Sequence, residues 1–278
     1  MWVGRLGEGA SVIIDVHSHV KNDHEITVSL RKARRLGVIL CINVLNAYDN
    51  YPPTLPTPEY IAACNDLTLK VASANPDCVI PMWYLNPYHP QEMQAELLRR
   101  VKAWDGHQGA KLWTGVKAND SRLEGIYQVL AEHNLPVLQH TYMAVTGNMP
   151  GETNPFDMRE AGLRNPEVNF FFGHSGSDME YGAKAAQGVP NLFMDIGGGD
   201  ATNGYTESLV EHAGADRVVY GSDLNAPRSF MSQLAKVYGA AISEEEKELI
   251  LWRNAYDIFS RQSVAWSQFD RHREAAGH

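Results

Sequence analysis

Two histidines separated by a single residue end an apolar stretch near the start of the chain. The stretch reads IIDVHSHV and covers residues 13–20, with His17 and His19 near its carboxyl end. Residues i and i+2 of a β-strand point to the same face of the sheet. If this stretch is a strand, both imidazoles can reach one metal ion, because neutral imidazole is a common ligand of transition metals.

Four further reactive side chains lie at the ends of other short apolar stretches: Lys111 in GAKLW, His140 in LPVLQH, His174 in NFFFGH and Asp223 in RVVYGSD. A single histidine at a strand end usually makes an ordinary hydrogen bond. Several ionisable groups buried together without an ion would be costly, because buried polar groups need partners. We therefore predict that these side chains and the His17–His19 pair surround a metal ion. Lys111 has an equally good alternative, in which its ammonium pairs with an Asp or Glu.

The elements that must position these side chains alternate along the chain. Eight short apolar stretches predict buried strands at 11–17, 37–44, 78–85, 109–113, 135–140, 169–174, 191–197 and 217–223. Helical periodicity predicts helices at 25–37, 58–76, 90–104, 121–134 and 206–215. This alternation is typical of parallel βαβ units, and eight units in about 250 residues match a (β/α)₈ TIM barrel of the α/β class. An open doubly wound sheet is the alternative, but eight strands and the lack of a glycine-rich phosphate loop favour the barrel. The active site of such a barrel forms at the carboxyl ends of the strands.

The C-terminal part has a different pattern. Residues 242–259 predict a helix that begins with a capping box of Ser243 and Glu246 and packs an apolar stripe on the barrel wall. The polar segment 261–278 is predicted to be a peripheral tail. We therefore expect one domain over residues 1–278, with a core of about 12–260.

The composition excludes several classes of partner. A net charge of −9 and a pI near 5.6 argue against binding to the nucleic-acid backbone, which needs a basic face. No apolar stretch has the length of about 18 residues that a membrane span needs, and the first residues lack the layout of a signal peptide. The three cysteines, at 41, 64 and 78, do not form a disulfide framework. We expect a cytoplasmic protein with a small-molecule substrate, bound to neither nucleic acid nor membrane.

The set of motifs resembles the amidohydrolase superfamily. The motifs are DVHSH after the first strand, a GxK strand, QH and GHSG after the fifth and sixth strands, and YGSDLNAP after the eighth. More narrowly, they resemble the amidohydrolase-related (amidohydrolase 2) group of small-ring lactonases, dicarboxylate hydrolases and metal-dependent decarboxylases. The stretch WRNAYDIF is similar to the closing helix of that group. The resemblance covers residues from about 12 to 260.

The resemblance implies a ligand set for a divalent metal. His17 and His19 match the paired ligands of the first strand, and His140 matches the ligand of the fifth strand. Asp223 matches the carboxylate that contacts the ion and shuttles the proton of its water. Three imidazoles and a carboxylate suit Zn²⁺ first, and Mn²⁺, Co²⁺ or Fe²⁺ would also fit.

The resemblance leaves the number of ions open. His174 matches a residue that is a second-metal ligand in two-metal members and an acid–base or oxyanion-stabilising group in one-metal members. Lys111 stands where two-metal members hold a carbamylated, bridging lysine, although many relatives with a GxK strand use one ion. A homodimer is common among similar proteins and is therefore a candidate assembly.

The leading expectation for the reaction is hydrolysis of a lactone or amide in a small carboxylate-bearing molecule by a metal-activated water. Asp223 would move the proton and His174 would stabilise the oxyanion. A non-oxidative decarboxylase of the same fold is the alternative, and a non-catalytic barrel that binds a metal or ligand is a remote one. Long loops at 46–60 and 141–160 would cover the site. The candidate substrate-binding residues are Trp113, Tyr142, Arg159 and Arg228.

Overall fold

Eight parallel strands form one sheet in chain order. The computed structural model describes residues 12–20, 23–48, 52–224 and 230–266. The strands are β1 (Ile13–His19), β2 (Val38–Asn43), β3 (Val79–Leu85), β4 (Gly109–Leu112), β5 (Val137–Gln139), β6 (Phe170–Phe172), β7 (Leu192–Asp195) and β8 (Val218–Val219). Seven of them fall inside the predicted stretches and β1 continues two residues beyond its own. The prediction of a (β/α)₈ barrel is confirmed.

Backbone hydrogen bonds join the first strand to the residues that follow β8 and bring the two edges of the sheet together. The Val16 N–H donates to the Tyr220 carbonyl over 3.0 Å, and the His19 N–H donates to the Leu224 carbonyl over 2.7 Å. Ser18 and Leu224 form a parallel bridge at the same place. The ends of β1 and β8 are therefore neighbours, although about 200 residues separate them in the chain.

Helices follow the strands around the outside of the barrel. They are α1 (Asp23–Leu36), α2 (Pro58–Ala74), α3 (Pro90–Ala103), α4 (Glu124–Glu132), α5 (Pro155–Arg164), α6 (Met179–Ala186), α7 (Tyr205–Ala213) and α8 (Phe230–Tyr238). The sequence did not predict α5, α6 or α8, which have eight to ten residues each. In the described part of the chain, no helix is long and apolar enough to cross a membrane.

The C-terminal helix packs on the barrel as expected, and its last part lies beneath the strands. It consists of α9 (Glu244–Glu248), a π-helical turn (Leu249–Arg253) and α10 (Asn254–Phe259). Ile258 and Phe259 of α10 belong to the same apolar cluster as the inward-facing Ile14 and Phe171 of the strands. The amide of Asn254 donates to the Ala215 and Val218 carbonyls, each over 2.8 Å, and so fixes α10 to the start of β8.

The start of the predicted peripheral tail also packs against this end of the barrel. The indole of Trp266 is 8% exposed and stacks on His107, which precedes β4, with 4.0 Å between ring centroids. Gln262 accepts a hydrogen bond from the Gln108 backbone N–H. We call the end of the barrel at which the strands begin the base, and the end at which the strands finish the mouth. The rest of the predicted tail, 267–278, lies outside the described residues.

Candidate metal centre

A β-bulge turns the two histidines of β1 into the barrel. Ile14 and Val16 pack in the apolar cluster inside the barrel, so strict alternation would place Ser18 inside next. The register with β2 instead moves from Asp15–Leu40 to Ser18–Ile42, which inserts one extra residue in β1. An extra residue re-aims the side chains that follow it.

The bulge brings the paired imidazoles together inside the mouth. Their Nε2 atoms are 3.1 Å apart. His17 Nδ1 lies 2.5 Å from the Asp195 carboxylate, and His19 Nδ1 lies 2.7 Å from the Asn43 side-chain oxygen. Since these oxygens accept hydrogen bonds from the imidazoles, Nδ1 of each ring carries the proton and Nε2 presents a lone pair. Burial lowers the pKa of both histidines and favours this neutral form.

His140 and His174 present a second pair of facing nitrogens. His140 Nδ1 and His174 Nε2 are 3.2 Å apart. The opposite nitrogens donate to Glu152 Oε1 over 2.8 Å and to the Gly197 carbonyl over 3.0 Å, so both facing nitrogens again present lone pairs. Burial lowers the pKa of His140 to about 4, against the effect of the Glu152 hydrogen bond.

The position of His174 depends on an unusual backbone. Its φ is 57°, in the left-handed region that residues with a side chain seldom adopt. Its backbone N–H lies 3.3 Å from the Asp195 carboxylate, and its carbonyl accepts from the Tyr205 hydroxyl over 3.1 Å. Gly198 also has a positive φ, and a Cβ there would lie 2.7 Å from His174 Nδ1. A glycine is therefore needed where the imidazole approaches this loop.

Asp223 completes the group from the last strand's end. Its Oδ1 lies 3.5 Å from His17 Nε2 and 3.4 Å from His19 Nε2, and its φ is 51°. Burial would raise its pKa, but the neighbouring imidazoles of His19, His174 and His17 hold the pKa below the ordinary value. Asp223 is therefore a carboxylate at neutral pH.

Asp15 and the residue before Asp223 join the two strands that carry these ligands. The Asp15 carboxylate accepts from the Ser222 hydroxyl over 2.6 Å, from the Ser222 N–H over 2.9 Å and from the His17 N–H over 3.1 Å. The two bonds from Ser222 hold β1 against the chain that follows β8, and the third fixes the Asp15 carboxylate beside His17.

Lys111 lies at the bottom of the same group and is fully buried. Its Nζ is 3.4 Å from His17 Nε2. Burial lowers its pKa to about 8, although the Asp223 and Asp195 carboxylates act in the opposite direction. We call His17, His19, Lys111, His140, His174 and Asp223 the central cluster.

The central cluster has the donor set and the charge that fit a divalent cation. Four imidazoles present lone pairs within one group, and the atoms of His17, His19 and Asp223 lie within 4.8 Å of one another. The carboxylates of Glu152, Asp195 and Asp223 are each at most 5% exposed. Within the central cluster, Lys111 offers one positive charge against them, and buried charges need compensation. Imidazole and carboxylate ligands suit Zn²⁺, Mn²⁺ or Fe²⁺.

Sequence reasoning missed the residues that hold the ligands in place. Asp195, Asn43 and Glu152 each accept a hydrogen bond from one imidazole of the central cluster, an arrangement that fixes the ring and its tautomer. Asp195 and Asn43 end β7 and β2 and lie near the ends of predicted apolar strands, which is a signal that could have identified them. Glu152 lies 12 residues beyond His140 in a loop, where no pattern marks it.

A cavity of about 830 Å³ opens above the central cluster. Trp113 and Tyr142, two of the candidate substrate-binding residues, line it. The Tyr142 ring lies parallel to the His140 imidazole, with 6.1 Å between centroids and 3° between planes. The Trp113 ring is 6.3 Å from the same imidazole. Two aromatic rings therefore flank the entrance to the central cluster.

The structure does not bring Arg159 to the cavity. Its guanidinium donates instead to the Ala185 and Gln187 carbonyls at the end of α6, over 3.0 and 2.5 Å. Arg159 lies on α5, and these contacts tie α5 to α6 on the outside of the barrel. The expectation that it binds a substrate carboxylate is therefore corrected. Arg228, the other predicted arginine, lies outside the described residues.

Comparison with known proteins gives the family. The amidohydrolase family model (Amidohydro_2) matches residues 53–261, more than half of the chain. The chain belongs to the amidohydrolase family. The prediction that it is an enzyme of this type is confirmed by the match. No curated protein sequence matches the chain. The matched range begins after β1 and does not include His17 or His19. The geometry of these two histidines therefore supports a metal centre independently of the family match.

Solved structures of this amidohydrolase fold are similar over nearly the whole chain. A 2,6-dihydroxybenzoate decarboxylase from Rhizobium matches with a TM-score of 0.69 and 14% identity, over 90% of this chain and 99% of that one. A 5-carboxyvanillate decarboxylase from Novosphingobium aromaticivorans, complexed with manganese and 4-hydroxy-3-methoxy-5-nitrobenzoic acid, matches with a TM-score of 0.63 and 15% identity, over 91% and 97%. A 4-oxalomesaconate hydratase from Rhodopseudomonas palustris matches with a TM-score of 0.63 and 16% identity, over 96% of this chain and 99% of that one. At these identities the similarity shows the fold alone.

Proposed function

We propose that the protein is a divalent-metal-dependent hydrolase of a lactone or amide in a small carboxylate-bearing molecule. The observation that carries this proposal is the ionised carboxylate of Asp223 beside inward-facing imidazole lone pairs. A carboxylate in that position can accept a proton from a water molecule at neutral pH. The carbonyl of a lactone or amide is the kind of bond that such a water attacks.

His17, His19, His140 and Asp223 would hold the ion. Their donor atoms face the same part of the mouth, and the opposite nitrogen of each ring is committed to an acceptor. When bound, a divalent cation supplies a Lewis acid that polarises a carbonyl and lowers the pKa of water. Zn²⁺ is our first expectation from the ligand types, and the manganese in a structure of similar fold makes Mn²⁺ the second to test.

The chain's own residues would move the proton in two steps. Asp223 accepts the proton of the attacking water on its carboxylate and returns it to the leaving group. His174 Nδ1–H donates a hydrogen bond to the Gly197 carbonyl. The unprotonated Nε2 of the neutral ring can therefore bind a cation or accept a proton. The structure therefore supports His174 as a ligand or base, and it would stabilise an oxyanion only after gaining a proton.

Decarboxylation is a second candidate, favoured by where the cavity's cations and rings lie. Among the described lining residues, the cations are Lys111 and Lys236. Lys236 Nζ already donates to the Ile196 carbonyl over 2.8 Å. A substrate carboxylate would therefore lie best near Lys111 and the central cluster. In a decarboxylase, this carboxylate is the group that leaves as CO₂. The flanking rings of Trp113 and Tyr142 suit packing against an aromatic acid. The structurally similar decarboxylases are named for such acids, 2,6-dihydroxybenzoate and 5-carboxyvanillate.

Parallel assays on one preparation test both reactions. Purified protein is stripped with a chelator, reloaded with Zn²⁺ or Mn²⁺, and given a panel of lactones, amides and aromatic acids. Hydrolysis releases acid and incorporates ¹⁸O from labelled water, whereas decarboxylation releases CO₂ and incorporates deuterium from D₂O at carbon. Asp223→Asn is the control for both. Failure of the wild type to bind either ion would refute both candidates, and CO₂ release without ¹⁸O incorporation would replace the first with the second.

A further inference from the structure

A buried carboxylate in the loop between β5 and α5 takes no part in the proposed reaction. We call residues 140–154 the mouth loop. Glu152 is 5% exposed, whereas Val145 in the same loop is fully exposed. Glu152 Oε1 accepts from His140 Nε2 over 2.8 Å, and Oε2 accepts from the Met149 backbone N–H over 2.9 Å. One carboxylate therefore connects an imidazole of the central cluster to the backbone of the mouth loop.

The connection runs through the side of His140 that faces away from the central cluster. His140 Nδ1 faces inward and Nε2 donates to Glu152. A cation on the inner nitrogen withdraws electron density from the ring and makes the outer N–H a stronger donor. It also compensates the negative charge of a buried carboxylate. Metal binding therefore strengthens the hydrogen bond between His140 and Glu152.

Other contacts fix the far end of the mouth loop independently of Glu152. A Cβ on Gly151, whose φ is 68°, would lie 2.2 Å from a backbone atom of Gly115. Thr153 accepts from the Ala118 N–H on its hydroxyl over 3.0 Å. The described contact of the Met149 N–H is with the Glu152 carboxylate. The turn at Met149 is thus the part of the loop that depends on Glu152.

The mouth loop also carries one wall of the cavity. Tyr142 lines the cavity and lies parallel to His140. Its carbonyl accepts from the side-chain amide of Asn148, the residue before Met149, over 2.6 Å. A change in the order of this loop therefore changes the shape of the cavity beside the central cluster.

We propose that Glu152 is a positioning residue that couples metal binding at His140 to the order of the mouth loop. The proposal rests on the proposed function, because it requires an ion at His140. In the metal-free protein the turn at Met149 opens more often, and in the metal-bound protein it is held closed. Metal binding therefore completes the cavity wall.

Hydrogen exchange measured with and without Zn²⁺ tests the coupling. The full-length protein is stripped of metal, reloaded with saturating Zn²⁺, and followed by mass spectrometry in peptides that cover residues 143–152. We expect Zn²⁺ to slow exchange at Met149 about tenfold in the wild type, as for a strengthened hydrogen bond to a charged group. In Glu152→Ala, Zn²⁺ should leave this rate unchanged.

Two more variants separate coupling from weak binding or misfolding. Glu152→Gln keeps the side-chain volume but has one acceptor oxygen, which can serve His140 or Met149 but not both, so the Zn²⁺-dependent slowing at Met149 should be lost even if Glu152→Ala does not fold. Asn43→Ala removes the acceptor of His19 instead. It should weaken Zn²⁺ binding about 10–100-fold and keep the slowing at Met149 once Zn²⁺ is saturating.

The outcomes are distinguishable. Slowing at Met149 that persists in Glu152→Ala or Glu152→Gln, or that is absent from wild type with Zn²⁺ bound, overturns the coupling and leaves the proposed function intact. Failure of the wild type to bind Zn²⁺ or Mn²⁺ in a calorimetric titration overturns both proposals.

Discussion

The two ends of the barrel are built from the same strands but follow different rules. At the base, Phe171, Phe259 and Trp266 pack in one apolar cluster. At the mouth, His174 and Asp223 are held at φ values of 57° and 51°, and the buried side chains there are mostly ionisable. Strained backbone persists only where the surrounding structure imposes it. The comparison indicates that apolar packing at the base stabilises the fold, and that this stability offsets the cost of strained backbone and buried ionisable groups at the mouth.

The sharpest test of this division is Asp223→Asn at the mouth. It removes the charge and the proton acceptor while keeping the side-chain shape, so we expect kcat to fall roughly 10²–10⁴-fold, the range for a general base. The variant should still fold, but the melting temperature of the metal-free protein should fall at neutral pH, because a lowered pKa means that the charge of Asp223 stabilises the folded state. Steady-state kinetics on the substrate found by the panel, and a thermal melt, measure the two effects. A loss of folding with the loss of activity would break the comparison.

The opposite result is expected at the base for Phe259→Ala. The side chain is fully buried beneath the strands, and its removal should lower the free energy of unfolding by ~3–5 kcal/mol. Urea denaturation measures this, and kcat per folded molecule should match the wild type. Ile258→Val, one residue away, is the control and should cost about 0.5–1.5 kcal/mol. A fall in kcat at equal folded fraction would mean that the two ends are coupled.

Asp195→Asn tests whether the ligands' partners belong functionally to the mouth. An amide is a weaker acceptor for His17 Nδ1–H than the carboxylate 2.5 Å away, and loss of such a partner lowers metal affinity about 10–100-fold. A Zn²⁺ titration followed by calorimetry measures the affinity. Asp77→Asn, which disturbs an ion pair with Arg34 far from the cavity, should leave it unchanged. Equal affinities for both variants would argue against His17 as a ligand.

The smallest effect is expected for Arg159→Ala, on the outer wall between the two ends. Its guanidinium binds backbone carbonyls of the α6 end, so the loss should be about 1 kcal/mol of unfolding free energy. KM for a carboxylate substrate should stay unchanged within error. An increase of KM by an order of magnitude would restore Arg159 as a substrate-binding residue.

Much of this architecture could be predicted because buried parallel strands produce local signals. Each of the eight strands is a short apolar run, and the reactive residues lie near the carboxyl ends of those runs or just beyond them. Alternation alone also paired His17 with His19, but it could not show that an extra residue in β1 turns this pair inward. A bulge depends on pairing with β2, a contact that the sequence of β1 does not contain.

The features that escaped prediction depend on contacts between distant segments. The placement of α10 at the base follows from Asn254 meeting the start of β8, 36 residues away, while its apolar stripe fits a wall or a base equally well. In the sequence, Glu152 is one acidic residue in a loop, and its contact with His140 appears only in the folded structure. Short helices such as α6 have few turns over which periodicity can accumulate.

The hydrogen bonds between β1 and the chain after β8 also bear on how the protein is made. His17 and His19 are synthesised early, and Asp223 emerges from the ribosome about 200 residues later. Contacts so far apart in sequence close late and slowly during folding. A nascent or truncated chain that stops before residue 218 would therefore hold the histidines without their carboxylate. On the proposed ligand set, high-affinity metal uptake becomes a post-translational event that reports completed barrel closure.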